Sequence, residues 1–214
     1  MSRILYLGLR VPKALQSPLL THLPLIRIQP RPLACLQESF TDHLLWTHLV
    51  FTSQTAVDLF FEACRHFGMT RMDSKKIMAV GQATAKRLKD WEIEVDAVPE
   101  EETAEGILAL SQTWDVAQTY IFWPHSALSR PVLTTYWQSQ GIRYHECILY
   151  DTCCNKTIEL PLLELFDEII FTSPSTVDAF IERYGSLPLE KKLTSIGPIT
   201  QAHLRSFIFP KAPS

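Results

Sequence analysis

Short apolar runs alternate with amphipathic segments along most of the chain. Runs rich in β-branched and aromatic residues predict strands at "RILYLGL", "LIRIQP", "LVFTS", "KIMAVG", "IEVDAVP", "YIFWP", "HECILYDT", "EIIFTS", "LTSIG" and "FIFP". The segments between most of these runs have helical spacing of apolar residues. Strands joined by helix-length connections are typical of βαβ units, which build parallel sheets covered on both faces. The pattern therefore predicts an α/β fold.

Two stretches of this pattern occur twice and in the same order. "LVFTSQTAVDLFFE" at residues 49–62 matches "IIFTSPSTVDAFIE" at residues 169–182. "KKIMAVGQATAKRL" at residues 75–88 matches "KKLTSIGPITQAHL" at residues 191–204. Because two ordered matches are hard to obtain by chance, we predict two similar domains with parallel sheets, of the flavodoxin-like type.

The chain is expected to cross between these domains at two extended stretches, "IRIQPRP" and "CILYDTCC". We therefore predict a discontinuous first domain of residues 1–30 plus 153–214, with a second domain of residues 36–147 inserted into it. Residues 31–35 and 148–152 are the predicted linker strands. Such a two-stranded linker leaves a cleft between the domains.

Composition narrows the classes of partner. The chain has 214 residues, of which 46% are apolar and 20% charged, and its formal net charge is −3. This charge provides no broad cationic field, so neither nucleic acid nor a membrane is expected as a partner. Arg10 and Lys13 interrupt the N-terminal apolar run, and no run approaches the roughly 18 apolar residues of a membrane span. We expect a cytoplasmic protein.

The motifs of several common sites are missing from the sequence. The five cysteines lack C-x-x-C spacing and the seven histidines are scattered, so we expect reduced, structural thiols and no metal site. With seven glycines and neither G-x-G-x-x-G nor a P-loop, no nucleotide cofactor is expected. A G-x-S-x-G nucleophile elbow is absent too.

Four predicted helices begin directly after predicted strands with hydroxyl or glycine residues. Helix capping explains each of these starts taken singly. Together, however, they present backbone N–H groups and hydroxyls at the carboxyl ends of parallel strands, where anions such as carboxylates or phosphates bind. The acidic "PEEETAEG" is interpreted as a solvated loop and a further capped helix start. The positions are Ser53, Thr55, Gly81, Thr84, Thr103, Ser173, Ser175, Gly197 and Thr200.

The motifs "FTSQTAV", "AVGQATAKRL", "TAEGIL", "FTSPSTV" and "IGPITQAHL", in this order, resemble those of uroporphyrinogen-III synthases. The resemblance covers most of the chain. It implies a monomeric lyase of heme biosynthesis that needs no cofactor and acts on a small-molecule substrate, hydroxymethylbilane, a linear chain of pyrroles carrying acetates and propionates. The family's enzymes expel its hydroxyl, close the ring and invert the last pyrrole through a spiro intermediate, giving uroporphyrinogen III.

The resemblance also implies roles for individual residues. Tyr150 in "LYDT" corresponds to the family's linker tyrosine, which helps the hydroxyl to leave; from the residues alone it would be a half-buried linker aromatic. Ser126 stands where a glycine is common. The implied substrate contacts are Ser53, Gln54, Thr55, Gly81, Gln82, Thr84, Thr103, Ser126, Arg130, Ser173, Ser175, Gly197 and Thr200.

Two departures from the family pattern keep other functions open. Ile199 stands where many relatives carry a second hydroxyl, and the terminal "FIFPKAPS" is expected to provide a strand without a counterpart to "TAEGILAL". A protein that binds a tetrapyrrole or another polycarboxylate without turnover is the first alternative. A hinged receptor for a small phosphorylated ligand is the second, although it leaves Tyr150 unexplained.

Overall fold

A computed structural model describes residues 2–69 and 72–209 of the chain. The chain divides into two compact units, Met1–Ile28 with Thr152–Ser214 and Gln29–Asp151, called here the split unit and the inserted unit. The strands are β1 (Ile4–Tyr6), β2 (Leu20–His22), β3 (Ile26–Pro30), β4 (His48–Phe51), β5 (Lys76–Ala79), β6 (Tyr120–Ser126), β7 (Arg143–Cys154), β8 (Glu168–Phe171) and β9 (Lys192–Ser195). The helices are α1 (Leu33–Leu36), α2 (Gln54–His66), α3 (Gln82–Asp90), α4 (Ala104–Ser111), α5 (Val132–Ser139), α6 (Pro174–Tyr184) and α7 (Pro198–Ile208).

The predicted α/β fold with parallel sheets is confirmed. The split unit contains a four-stranded sheet in the order β2-β1-β8-β9, and β1 runs parallel to both of its neighbours. The second sheet has the order β3-β7-β6-β4-β5, in which β6 is parallel to β4 and β7. The strands β3 and β7 each cross the boundary between the two units.

The core of the split unit is aliphatic with a few aromatic rings. Its central strand β8 is buried along its whole length, as expected for a strand covered on both faces. The apolar residues of α6 recur at helical spacing, so one face of the helix packs against this sheet. Pro174 is the first residue of the helix, where a backbone N–H would have no partner within the helix. Buried members of this core are Leu5, Leu7, Leu25, Ile169, Phe171, Val177, Phe180 and Leu204.

Aromatic residues dominate the core of the inserted unit. Trp46 stacks on Phe122 with ring centroids 3.7 Å apart, and Phe60 of α2 packs against both rings. A second cluster includes Trp123 and Trp137, whose rings meet edge to face at 5.9 Å. Together these clusters cover β4 and β6, and so hold the carboxyl ends of these two strands in fixed positions.

The sequence repeat is also visible in the side-chain contacts. Lys75, at the start of the second repeated motif, donates from Nζ to the carbonyl oxygen of Trp46 at 2.8 Å. Its counterpart Lys191 donates to the carbonyl oxygen of Phe166 at 2.9 Å. A second pair of equivalent contacts joins α2 to α3 and α6 to α7: Arg87 bonds to Asp58 at 2.6 Å, and His203 bonds to Asp178 at 2.7 Å. The two aspartates occupy the same position in the repeats of residues 49–62 and 169–182.

The sequence predictions were wrong at three places. "IEVDAVP" forms only an isolated bridge between Met78 and Ala97, because Asp96 caps the neighbouring backbone by accepting from the N–H of Ile77. "FIFP" is not a strand, since α7 continues to Ile208. Its phenylalanines are exposed, although the sequence pattern treated them as buried strand residues. Residues 210–214 lie outside the described residues. The short strand β2 was not predicted, since Leu20 is its one apolar residue.

None of the helices in the described part of the chain is long and apolar enough to cross a membrane.

Candidate functional site

Tyr150 lies in the second half of β7, opposite the last residue of β6, and is 5% exposed. Its hydroxyl is 3.0 Å from Oγ of Ser53, and the hydroxyls of Ser126 and Thr55 lie close enough to influence its pKa. These partners come from the end of β6 and the start of α2, which follows β4. Because β6 and β4 are neighbours in the parallel sheet, their carboxyl ends lie side by side, and the register places Tyr150 of β7 opposite the end of β6. We call Tyr150, Ser53, Thr55 and Ser126 the hydroxyl cluster.

Local structure fixes two members of this cluster. Ser53 is the N-cap of α2, as predicted, and its Oγ accepts a hydrogen bond from the N–H of Ala56 at 3.0 Å. The register between β6 and β7 pairs His125 with Ile148 but Ser126 with Tyr150, so one residue of β7 is skipped. This bulge brings Ser126 opposite the tyrosine.

Burial raises the pKa of Tyr150 above its usual value of 10.0, while the hydrogen bonds from Ser53, Ser126 and Thr55 oppose this effect. At neutral pH the phenol therefore keeps its proton. It can donate a hydrogen bond, or the proton itself, to a group that gains negative charge.

The start of α3 holds a carboxylate of the chain itself. Gly81 is the N-cap, and the N–H of Gln82 donates to Oε1 of Glu102 at 3.1 Å. A Cβ atom at position 81 would overlap the Glu102 carboxylate, so only glycine allows this close approach. The backbone N–H groups at this helix start can therefore bind a carboxylate, and here Glu102 provides it.

Arg130 does not present an unpaired positive charge. Its two terminal nitrogens donate to both oxygens of Glu105, at 2.8 and 3.0 Å. Arg130 thereby lowers the pKa of Glu105, and Glu105 raises that of Arg130. Glu105 lies in the first turn of α4, whose N-cap Thr103 accepts from the N–H of Gly106, as predicted.

Four predicted contacts lie in the split unit. Ser173 is the N-cap of α6, and its Oγ is 2.9 Å from that of Ser175. Gly197 is the N-cap of α7 and has φ 81°, a conformation that favours glycine, whereas Gly81 has the extended φ −169°. The two glycines therefore begin their helices with different backbones. Thr200 is buried within the first turn of α7.

The structure thus sorts the predicted residues into groups. Tyr150 and Ser53 are joined by a hydrogen bond, and Thr55 and Ser126 influence the pKa of the same phenol. Gly81 and Gln82 form the α3 start, where Thr84 is buried and Gln54 at the α2 start is exposed. Thr103 and Arg130 are linked through Glu105.

A model of the family described as Uroporphyrinogen-III synthase HemD matches residues 20–212 of the chain. The chain belongs to the uroporphyrinogen-III synthase family. This confirms the resemblance found in the motifs, and it assigns the chain to a family of heme and porphyrin biosynthesis.

Individual members of the uroporphyrinogen-III synthase family agree with this assignment. A Methanothermobacter thermautotrophicus protein provisionally named as this synthase is 31% identical over 170 residues, which are 72% of this chain and 67% of the relative. A mutant uroporphyrinogen III synthase from the extremely thermophilic bacterium Thermus thermophilus superposes with a TM-score of 0.67 at 18% identity, covering 97% of this chain and 89% of the other. The Helicobacter pylori synthetase gives 0.66 at 20% identity, covering 98% and 91%. At these identities the two solved structures establish the fold.

Among the described residues, no group of three or more His, Cys, Asp and Glu side chains is placed to hold a metal ion. Burial raises the pKa of Cys64 to about 12 and that of Cys147 to about 11, so both thiols stay protonated at neutral pH.

Sequence reasoning missed two features of the candidate site, the first at the α3 start and the second beside the hydroxyl cluster. Glu102 was interpreted as part of a solvated acidic loop, although the "EEET" run before a helix start was a signal that one carboxylate could turn back onto a neighbouring N–H. His125, directly before Ser126, carries a buried imidazole, and no sequence signal separated it from the other scattered histidines.

Proposed function

We propose that this chain is a uroporphyrinogen-III synthase, a lyase that cyclises hydroxymethylbilane without a cofactor and inverts the last pyrrole to give uroporphyrinogen III. Membership of the family supports the reaction class. The hydroxyl cluster around Tyr150 is the observation that carries the proposal, because it supplies the kind of group that the first step requires.

In the proposed first step, Tyr150 assists the departure of the substrate hydroxyl. The buried, protonated phenol donates toward that oxygen, which leaves as water. Ser53, Thr55 and Ser126 stabilise the negative charge that develops on the phenol oxygen, since each can donate a hydrogen bond to it. Charge stabilisation by hydroxyl groups requires no cationic side chain near the tyrosine.

The acetate and propionate groups of the substrate need anion-binding positions. We propose that the helix starts provide them through backbone N–H groups and the positive end of the helix dipole. The α3 start supports this proposal, because a carboxylate already lies on the N–H of Gln82. Ser173, Ser175, Gly197 and Thr200 are proposed as further contacts from the split unit. Fixing several carboxylates would restrict how the last pyrrole can turn, which is how a rigid site selects one isomer.

The alternative is a protein that binds a tetrapyrrole or polycarboxylate without turnover. Two contacts favour it, because Glu102 occupies the α3 start and Glu105 neutralises Arg130. The two functions differ in one measurable respect. A binding protein would retain the product but would not accelerate consumption of hydroxymethylbilane.

Replacing Tyr150 by Phe tests the proposed role of the hydroxyl. We expect turnover to fall by roughly 10²- to 10⁴-fold, the usual contribution of general acid catalysis. Tyr144→Phe is the matched control, since Tyr144 lies on the same strand and is partly buried outside the hydroxyl cluster. Equal rates for the two variants would refute the role of Tyr150.

A further inference from the structure

His125 is a buried histidine next to Ser126, one member of the hydroxyl cluster. It is the residue before Ser126 on β6 and is 5% exposed. Its Nδ1 is 2.8 Å from the main-chain oxygen of Ser126. Because a carbonyl oxygen can only accept, Nδ1 carries the proton and donates this bond. The imidazole therefore holds the carbonyl group of the same residue whose hydroxyl meets Tyr150.

The imidazole is itself fixed by its surroundings. It stacks on Trp123, with ring centroids 3.9 Å apart and planes inclined by 10°. Nε2 of His125 is 3.5 Å from Oε2 of Glu146, the charged group that faces it from β7. The stacking on Trp123 and the hydrogen bond from Nδ1 therefore restrict rotation of the ring, whereas Nε2 has no hydrogen-bond partner among the described residues.

Trp123 extends this arrangement to the other side of the cluster. Its Nε1–H donates to Oγ1 of Thr52 at 3.4 Å, and Thr52 directly precedes Ser53. Trp123 thus holds the residue before Ser53, and His125, stacked on Trp123, holds Ser126. These two serines approach the phenol from different strand ends.

The register shift shows why Ser126 needs such support. At this point the ladder between β6 and β7 skips a residue of β7, and Ser126 falls opposite Tyr150. Regular pairing no longer fixes a residue at a bulge, so local contacts have to orient its backbone. The Ser126 carbonyl accepts from the N–H of Ser129 at 3.0 Å and from Nδ1 of His125 at 2.8 Å, and the second of these bonds comes from a side chain.

We propose that His125 is a positioning residue for the Tyr150 site: by bonding the Ser126 carbonyl and stacking on Trp123, it aims the Ser126 hydroxyl at the Tyr150 phenol. His125 acts through Ser126 and contacts no substrate. Its effect on turnover rests on the proposed function, whereas its effect on the environment of the Tyr150 ring does not.

Two substitutions separate positioning from simple packing. His125→Leu removes the donor and keeps an apolar side chain of similar reach. His125→Asn replaces Nδ1–H by an amide N–H at nearly the same place, so it can donate to the Ser126 carbonyl but stacks less well. If the hydrogen bond is what matters, Asn restores the wild-type behaviour and Leu does not. A histidine that only fills space would give the opposite order.

The direct readout is the NMR shift of the ζ-carbon of Tyr150, assigned by comparison with Tyr150→Phe. We expect this shift to move in His125→Leu and to return toward the wild-type value in His125→Asn. In a Ser126→Ala background, His125→Leu should have no further effect, because the proposed route runs through the Ser126 hydroxyl. An unchanged Tyr150 shift in His125→Leu, or an equal effect with and without the Ser126 hydroxyl, overturns the proposal.

Kinetics with hydroxymethylbilane provide the second readout. We expect His125→Leu to lower kcat by about tenfold, and by at most about 100-fold, with KM nearly unchanged, and His125→Asn to recover most of the loss. If the wild type has no activity, the proposed function fails while the NMR series still decides the role of His125. Should His125→Leu not fold, His125→Gln, which moves its donor outward by one methylene, takes its place with the same expected NMR shift.

Discussion

Glu102 occupies an anion-binding position that the proposed function reserves for substrate, so the two carboxylates should compete. Its Oε1 accepts from the N–H of Gln82 at 3.1 Å, at the start of α3. Glu102→Gln keeps an oxygen of the same reach but removes the charge. The variant therefore isolates the charge–dipole part of the contact.

The size of this part follows from the geometry. A carboxylate at an exposed helix N-terminus stabilises the helix by about 0.3–1 kcal/mol. Glu102 is exposed, so solvent screening keeps the contribution within that range. In this variant a substrate carboxylate no longer has to displace the Glu102 charge. The substrate should therefore bind more tightly by up to about 1 kcal/mol, which lowers KM by up to about fivefold. The same charge is lost from folding, so stability falls by up to about 1 kcal/mol.

Initial rates measured over a range of hydroxymethylbilane concentrations test this prediction, with thermal unfolding as the companion measurement. We expect Glu102→Gln to have a lower KM, an unchanged kcat and a slightly lower melting temperature. Glu101→Gln is the control, since it makes the same charge change one residue away, without the contact to Gln82. The reasoning is refuted if both variants shift KM equally, or if Glu102→Gln binds substrate more weakly than the wild type.

Two further predictions concern stability. Ser53→Ala should lower the free energy of unfolding by about 1 kcal/mol in denaturant titrations, because it removes the N-cap of α2. Ser53→Thr should lose much less because it keeps a capping hydroxyl, and equal losses in the two variants would contradict the assignment of this free energy to the cap. Burial, together with Lys76, lowers the pKa of His48 from 6.5 to about 4, so on acidification the unfolded chain binds the proton before the folded chain does. The free energy of unfolding should therefore fall by up to about 3 kcal/mol as pH drops from 6.5 to 4. His48→Gln should reduce this pH dependence and the exposed His66→Gln should not, and identical pH profiles for the two variants would contradict the assignment.

Hydrophobic spacing was sufficient to predict the fold class and most elements. The step from an apolar strand through Thr-Ser into an amphipathic helix correctly predicted Ser53 and Ser173 as N-caps. Such local signals are strong because strand burial and capping depend on neighbouring residues. "FIFP" failed for the same local reason, since Phe207 is apolar but lies 44% exposed at the end of α7.

The site was predictable only in part. The resemblance to the family identified Tyr150, and strand order explains why Ser53 and Ser126 reach it. The contact of Glu102 with Gln82 was not predictable, because the irregular segment that follows α3 can return to the start of that helix in many ways. Nor could the sequence show the skipped residue of β7, since a bulge depends on the register between two strands and not on either strand alone.

The isomer composition of the product tests the central claim most directly. Purified protein is incubated with freshly prepared hydroxymethylbilane and no added cofactor, and the cyclic products are oxidised to porphyrins and separated chromatographically. The proposed synthase predicts that the inverted isomer predominates, while a parallel sample without protein gives the uninverted ring. The same uninverted product in both samples, at the same rate, would contradict the account.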